Sequence, residues 1–218
     1  MKKTTAKRPA SPKVTERSGA RGGSNAASKI RFSAKLLRPA ATAPADKFGA
    51  GGWTFLKLPK QASAKLPSRA QESVDGTLNG AAFQATLEPD GQGGHWLKVD
   101  RELQERAGAE VGGSVTLEIA PVAEEPEPTV PADLRKALAD APDRAREVWS
   151  DITPVARRDW IQWITSGKKA ETRAIRIDKA CDMLAKGKRR ACCFDRSGMY
   201  DKSLSCPVAD ESSTDPGR

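Results

Sequence analysis

The feature that most restricts the fold of this chain is a strand–helix–strand pattern running from His95 to Ile119. A strand is predicted up to Val99, and Asp100 can then accept hydrogen bonds from the free N–H groups of a short helix. Gly108 suits the end of that helix, because glycine readily adopts the left-handed backbone conformation found there. The residues that follow alternate apolar and polar side chains, which is typical of a strand with one buried face.

The same pattern occurs a second time, nearer the N-terminus. Leu56 begins a run, LKLPK, that resembles the run LKVDR beginning at Leu97, and a helix-compatible stretch and a strand from Val74 follow it. The Asn-Gly pair at positions 79 and 80 predicts a two-residue hairpin turn. We interpret the repeat as two similar halves of one small β-barrel, and a further strand from Ile30 brings the number of strands to six.

Beyond residue 120 the apolar pattern changes from the period of a strand to that of a helix. Residues 121–130 (PVAEEPEPTV) are acidic and rich in proline, as linkers between domains often are. Helices are predicted to begin at Pro131 and Pro142, after Thr153 as an N-cap, and near Lys169, with the last one ending before Gly187. Their apolar stripes predict a small helical module with its own core.

Together these elements predict an α+β fold, in which a small double-split β-barrel is followed by a C-terminal helical module, with disordered tails. The predicted divisions are a disordered basic tail at 1–28, the barrel at 29–120, the linker at 121–130, the helical module at 131–187 and an irregular, cysteine-containing tail at 188–218. The basic tail has too few large apolar residues to offset the entropy of ordering it.

The positive charge of the chain lies almost entirely at its N-terminus. The formal net charge is +9, and residues 1–31 contribute +8 of it, with nine basic residues and one acidic residue. Residues 32–120 and 121–187 are each neutral overall, and residues 188–218 contribute +1. Such a tail attracts phosphate polymers, anionic lipid or acidic proteins without specificity, so the charge identifies no partner for the folded part.

The sequence contains no pattern typical of a membrane span or of a secretory signal. No run approaches the roughly 18 consecutive apolar residues of a membrane helix. The basic N-terminus is not followed by the apolar segment of a signal peptide. We therefore expect a cytoplasmic protein that does not insert into a membrane.

Candidate metal ligands and catalytic groups are few. Cys181, Cys192, Cys193 and Cys206 all lie in the last fifth of the chain, without the paired spacing that structural zinc sites usually have. Reduced thiols are the simplest interpretation, and zinc binding and redox pairing are the alternatives. His95 is the single histidine, and a structural role suits it better than catalysis. We expect no metal, no cofactor and no catalytic residues.

Three short motifs resemble a known bacterial family: RRDW at 157–160, WI at 163–164 and ETR at 171–173. In this order they are similar to the C-terminal helical module of YdeI/OmpD-associated (bacteriocin-protection) proteins. The barrel, with GTLNG at 76–80 and the strand at 95–99, resembles the domain of unknown function that often precedes this module. It also resembles the double-split barrels of AbrB-like regulators. The family resemblance implies a role in resistance to bacteriocins or cationic antimicrobial peptides, with no established reaction.

Arg157, Arg158 and Arg173 match the family motifs and are candidate anion-binding residues. A guanidinium group can bind phosphate or carboxylate through two parallel hydrogen bonds. The alternative is ordinary helix surface, because acidic residues are interleaved with these arginines at steps of three and four residues.

Two functions are compatible with these observations. The first is a non-enzymatic cytoplasmic protein that binds another protein or an anionic ligand in a response to antimicrobial peptides or stress. Since both halves of the barrel lie in one chain, a monomer suffices for it. The alternative is a nucleic-acid-binding regulator that uses an AbrB-like barrel and the basic N-terminal tail.

Removal of residues 1–28 tests the nucleic-acid alternative. If the basic tail drives binding, the full chain should shift duplex DNA of any sequence in a gel at low salt. Binding should weaken steeply as salt rises, because counterions are released from the DNA, and the shortened chain should lose most of it. The absence of a shift for both proteins at low salt would remove this alternative.

Overall fold

The computed structural model describes residues 29–40, 53–167, 169–191, 194–200 and 204–213. The tail predicted to be disordered at 1–28 lies outside these described residues, as do Cys192 and Cys193. The N-terminal part contains β1 (Ile30–Lys35), β2 (Thr54–Lys57), α1 (Lys60–Ser63), β3 (Glu72–Leu78), β4 (Ala81–Pro89), β5 (His95–Val99), α2 (Arg101–Arg106) and β6 (Ser114–Pro121). The C-terminal part contains α3 (Ala132–Asp140), α4 (Asp143–Asp151), α5 (Pro154–Thr165) and α6 (Ala170–Ala185).

The six strands form an antiparallel sheet that curls into a nearly closed barrel. Their order is β1-β6-β3-β4-β5-β2, and every pair in it is antiparallel. The two end strands meet where Leu37, just after β1, exchanges main-chain hydrogen bonds of 2.7 and 2.8 Å with Phe55 of β2. This contact pairs groups that would otherwise remain at open sheet edges. The predicted α+β fold, with a small barrel followed by helices, is confirmed.

The two halves of the barrel correspond as the sequence repeat predicts. β2, α1 and β3 begin at residues 54, 60 and 72, and β5, α2 and β6 begin at residues 95, 101 and 114, so equivalent elements lie 41 or 42 residues apart. Leu56 of β2 pairs with Leu97 of β5, which is its own counterpart in the repeat. Two equivalent residues that face each other across antiparallel strands mark a pseudo-twofold axis, and here the axis passes between the two strands.

Local sequence determines how the elements of the barrel are joined. Asn79 and Gly80 both have positive φ angles, 48° and 89°, as the predicted two-residue hairpin between β3 and β4 requires. Asp100 caps α2, as predicted, by accepting a 2.8 Å hydrogen bond from the N–H three residues later. Gly76 allows β3 and β6 to approach closely, because a Cβ at this position would lie 2.4 Å from the carbonyl oxygen of Glu118.

The paired strands β2 and β5 carry buried residues on both faces. Their inward face contributes Leu56, Leu97 and other leucine and valine side chains to the barrel core. Their outer face carries Trp53, Phe55 and Trp96, whose ring centroids lie 6.1 to 6.3 Å apart in a second cluster. A run of four large or β-branched residues, WTFL, is typical of a strand that is covered on both sides.

The four helices α3 to α6 pack around a separate apolar core. The hydroxyl of Thr153 caps α5 by accepting a 3.3 Å hydrogen bond from a main-chain N–H, and Pro154 is the first residue of that helix, as predicted. Trp160, Ile164 and Leu184 are completely buried in this core. Among the helices of the described residues, none has the length and apolar character needed to cross a bilayer.

Helix α5 is buried on two sides, whereas a surface helix of a globular protein usually buries one side. Trp160 and Ile164 face the helical core. Asp159 and Gln162 are only 3% and 2% exposed, and helical spacing places them with Arg158 on the other side. Contacts of Arg158 and Asp159, given below, show that the barrel and the C-terminal residues cover this polar side.

The C-terminal segment, taken as the described residues between 188 and 213, connects the two parts of the molecule. Arg189 forms an ion pair with Asp151 at the end of α4. Farther on, Leu204 is 3% exposed, and Ala209 forms an antiparallel bridge with Pro39 beside the barrel. The expectation of a poorly ordered, irregular tail did not include these contacts.

Truncation of either counterpart leucine should destabilise the barrel to a similar degree. Leu56 and Leu97 are both fully buried in one core, so Leu56→Ala and Leu97→Ala should each lower the free energy of unfolding by about 2–5 kcal/mol. Chemical denaturation followed by circular dichroism measures the loss. Lys57→Ala, at the exposed position next to Leu56, where the residue pairs with Trp96, is the control and should leave the midpoint nearly unchanged. Equal midpoints for all three variants would contradict this assignment of the core.

Candidate functional site

Arg158 of α5 joins the helical module to the barrel. Its guanidinium group donates a 2.9 Å hydrogen bond to the hydroxyl of Ser73 in β3 and a 2.8 Å hydrogen bond to the main-chain carbonyl of Gln71. It also forms an ion pair with Glu125 of the linker. The side chains of Arg158 and Glu125 are only 11% and 16% exposed. A charge-assisted contact that is so little exposed is stronger than a surface ion pair.

Ser73 and Glu72 place further polar groups around Arg158. The Ser73 hydroxyl is 2.7 Å from a carboxylate oxygen of Glu125, to which it donates. Glu72 accepts a 3.1 Å hydrogen bond from Ser68. Partial burial raises the pKa of Glu72, an effect that the hydrogen bond from Ser68 and the charge of Arg158 oppose. The ionised Glu72 therefore weakens the fold at neutral pH relative to its protonated form.

Several buried polar atoms at this junction have no hydrogen-bond partner among the described residues. They are Oε1 of Gln71, Nε of Arg158, and both amide atoms of Gln162. Gln162 lies one helical turn after Arg158, on the same side of α5. Buried polar groups are usually paired with protein or water, so the junction has capacity for further hydrogen bonds.

Asp159 binds the C-terminal segment to the same helix. Its carboxylate lies 3.0 Å from the guanidinium group of Arg196 and 3.7 Å from that of Arg190. The side chain of Asp159 is 5% exposed, so these cations compensate a charge that has little contact with water. Asp159 is the acidic residue of the RRDW motif, and it was not among the predicted site residues.

Arg157 binds the end of the preceding helix. It donates hydrogen bonds of 2.9 and 2.8 Å to the carbonyl oxygens of Trp149 and Ser150, in the last turn of α4. It also forms a 2.6 Å ion pair with Glu127 of the linker. A cation at a helix C-terminus is stabilised by the free carbonyl groups and the helix dipole.

Arg173 forms a two-point ion pair within the helical module. Its guanidinium group is 2.5 and 2.9 Å from the two carboxylate oxygens of Asp133, in the first turn of α3. The hydrogen bond that Arg173 donates to Asp133 lowers the pKa of the carboxyl group and raises the pKa of the guanidinium group. This pair holds α6 against the start of α3.

The three predicted anion-binding arginines thus contact three different sets of groups within the chain. Arg157 faces α4, Arg158 faces the barrel, and Arg173 faces α3. The arrangement joins helices and domains. Binding of an external anion by these residues stays a prediction, and such an anion would have to compete with the carboxylates that now occupy them.

His95 is fully buried at the start of β5. Its Nε2 lies 3.0 Å from the carbonyl oxygen of Ala70, to which it donates, and its main-chain N–H donates a 3.1 Å bond to Ser63 in α1. Burial lowers the pKa of this imidazole, which favours the neutral form in the fold. These contacts join β5 to the residues around α1.

The described cysteines are partly buried. Burial raises the pKa of Cys181 on α6, and it raises the pKa of Cys206 in the C-terminal segment to about 12. Such thiols are mostly protonated and poorly reactive at neutral pH. No group of three or more potential metal ligands comes together within the described residues, which do not include Cys192 and Cys193.

Comparison with known families assigns both parts of the chain. Residues 127–187 match the model described as bacteriocin-protection, YdeI or OmpD-associated. Residues 32–119 match the model of a domain of unknown function, DUF1905. The resemblance inferred from the RRDW, WI and ETR motifs and from the barrel is therefore confirmed. No curated protein matches the chain.

Replacement of Arg158 should separate the two domains energetically. Arg158→Met leaves the Glu125 carboxylate without its cation, which should lower the free energy of unfolding by about 3 kcal/mol. It should also resolve urea unfolding into two transitions, detected by circular dichroism and tryptophan fluorescence. The double variant Arg158→Met/Glu125→Gln should recover part of the loss.

Arg101→Ala is the matched control for this experiment. Arg101 also pairs with a glutamate, at 2.7 Å, but the pair is exposed on α2. Exposed pairs contribute little to stability, so its unfolding should match that of the unmodified chain. If Arg158→Met and Arg101→Ala unfolded alike, Arg158 would not connect the domains.

Proposed function

Because the chain carries a domain of the bacteriocin-protection, YdeI or OmpD-associated family behind a DUF1905 domain, we propose that it is a non-enzymatic, cytoplasmic binding protein. Its role is to protect a bacterial cell against bacteriocins or cationic antimicrobial peptides. The match of residues 127–187 to the family is the observation that carries this proposal.

The ion pairs between the helices and the linker support a binding role. Arg157 and Arg158 pair with glutamates of the linker, and Arg173 pairs with Asp133. These groups maintain the arrangement of the helices and the barrel, so they support a rigid surface on which a partner can be bound.

The linker 121–130 is the surface that best suits a cationic partner. It carries three glutamates, and Glu124 and Glu127 are exposed. Glu127 is 55% exposed and pairs with Arg157, so a lysine-rich peptide can approach its carboxylate from the solvent side. Residues 32–187 have no net charge, so they do not repel such a peptide.

The alternative function, nucleic-acid binding, rests on other features. The barrel is built from two equivalent strand–helix–strand halves, as in AbrB-like regulators, and the N-terminal residues 1–31 carry a charge of +8. The gel-shift comparison with and without residues 1–28 distinguishes this function from peptide binding.

Reversal of charge in the linker tests the proposed function. The purified full chain should bind a fluorescein-labelled, lysine-rich amphipathic peptide in an anisotropy titration. Glu124→Lys/Glu127→Lys should weaken that binding about tenfold or more, because two attractive charges become repulsive. The control Glu102→Lys/Glu105→Lys makes the same change on α2, outside the linker, and should bind as the unmodified chain does.

Survival measurements extend this test to the cell. A strain that lacks the protein should be killed at lower concentrations of cationic peptide, and the unmodified chain should restore survival better than the linker variant. Unchanged survival of the deletion strain under all peptides and envelope stresses would contradict the proposed function. Equal restoration of survival by the unmodified chain and by the linker variant would support the proposed function but exclude the linker as the contact surface.

A further inference from the structure

The outer face of β2 and β5 is unusual for the surface of a barrel. Trp53, Phe55 and Trp96 lie there side by side, with exposures of 8%, 0% and 2%. Each large aromatic side chain contributes a substantial apolar area, and a contiguous patch of this kind is rarely left in contact with water. This face, which we call the aromatic face, therefore needs a cover.

Part of that cover is the last part of the C-terminal segment, residues 204–213. Cys206 and Ala209 pack against the aromatic face, together with Leu37. Residues 208–210 run antiparallel to residues 38–40. The N–H of Ala40 donates a 2.8 Å hydrogen bond to the carbonyl of Val208, and the N–H of Asp210 donates one of 2.8 Å to the carbonyl of Arg38.

Leu204 holds residues 204–213 against the barrel at their N-terminal end. It is 3% exposed, and its carbonyl oxygen lies close to Gly91 and Gly198, where an added Cβ would be 2.7 Å away in both cases. Gly91, with φ +74°, belongs to the turn between β4 and β5. The backbone of the barrel thus approaches the segment directly at this point.

This mode of contact requires little of the segment's sequence. An extended chain that pairs through its main chain and inserts small side chains adds a strand to a sheet edge, a common means of peptide recognition. Val208, within the paired stretch, is 70% exposed and contributes its main-chain carbonyl. Another extended chain with small residues at the same spacing would make the same hydrogen bonds.

The segment also lies outside both families to which the chain was matched. The DUF1905 match ends at residue 119 and the YdeI/OmpD-associated match ends at residue 187. The aromatic face itself lies within the DUF1905 domain. The face is thus part of the domain, and this cover is an addition to it.

We propose that the aromatic face, with the adjoining residues 37–40, is a docking groove for an extended acidic segment of another protein, and that residues 204–213 occupy it in cis. Displacement of this segment opens the groove to the partner. The proposal is separate from the protection against cationic peptides, because the predicted partner has the opposite charge.

The charge around the groove selects an acidic partner. Two lysines lie beside the groove: Lys98 is 5.9 Å from the ring centroid of Trp53, and Lys57 is close enough to Cys206 to lower the pKa of its thiol. Burial has the larger, opposite effect on that pKa, and the nearby carboxylate of Asp90 also raises it. The occupying segment is complementary, since residues 204–213 contain two acidic residues, Asp210 and Glu211, and no basic residue. A partner with the same combination of small and acidic residues therefore fits the groove.

The test uses the full chain and a peptide of its own C-terminal sequence. The probe is a fluorescein-labelled peptide of residues 203–217 with Cys206→Ser, and its binding is measured by fluorescence anisotropy. Asp210→Pro in the full chain removes the N–H that binds Arg38, which should release the segment. Val208→Ala, at an exposed position of the same stretch, is the matched control.

Release of the segment is measured independently by alkylation of Cys206, identified by peptide mapping. In the docked state its pKa is raised to about 12, so the reactive thiolate is scarce. Cys206 should be alkylated about tenfold faster or more in Asp210→Pro than in Val208→Ala, because release returns the thiol to water.

The peptide should bind Asp210→Pro about tenfold more tightly or better than the unmodified chain and Val208→Ala, in which the attached segment competes at high effective concentration. A peptide with Asp210→Asn, Glu211→Gln and Asp215→Asn should bind several-fold more weakly than the acidic one. Equal affinity for the two peptides would contradict the acidic character of the partner.

Failure to bind would overturn the proposal. If Asp210→Pro exposes Cys206 but does not bind the peptide, the aromatic face is not a docking groove. If the Asp210→Pro variant does not expose Cys206, the peptide-binding experiment is repeated with a chain that ends at residue 203. A folded chain of that length that binds no peptide, or one that cannot fold, shows that residues 204–213 are an integral part of the barrel, which equally overturns the proposal.

Discussion

The multiple hydrogen bonds of the Arg158 guanidinium group hold the two parts of this molecule together. One side chain binds a strand of the barrel through Ser73 and the carbonyl of Gln71, and binds the linker through Glu125. Because these partners belong to different elements, removal of the arginine would leave a nearly buried carboxylate uncompensated. The neighbouring Asp159 does the same for the C-terminal segment. Helix α5 thus contacts the barrel, the linker, the helical core and the C-terminal segment.

In the barrel, the paired strands β2 and β5 carry buried residues on both faces. Leu56 and Leu97 meet on the inner face at the pseudo-twofold axis, while Trp53, Phe55 and Trp96 form a cluster on the outer face. The inner face is covered by the barrel itself, as in other small closed sheets. The outer face depends on residues from elsewhere in the chain, and this dependence links the barrel to the C-terminal segment.

The charged residues of the folded part act mainly within the molecule. Their ion pairs connect helices, linker and barrel, and their carboxylates neutralise the arginines that the family motifs contain. A partner therefore meets a surface in which opposite charges are already paired. Its affinity depends on competition with those pairs, as proposed for the acidic linker, or on an apolar face with a replaceable cover, as proposed for β2 and β5.

The sequence by itself determined the elements whose signals are local. The period of two residues predicted the strands, Asn79-Gly80 predicted the hairpin, Asp100 and Thr153 predicted helix caps, and the repeat predicted the paired halves. The hairpin and the caps depend on neighbours within a few residues, and the repeat, whose copies begin 41 or 42 residues apart, is visible when two parts of the sequence are compared. Only the tertiary structure decided the partners of the arginines, the burial of Asp159 and the cover of the aromatic face. Such contacts join residues that are tens of positions apart, as in Arg158 with Ser73. A local pattern contains no information about which distant group will pair with a buried charge or cover an aromatic ring.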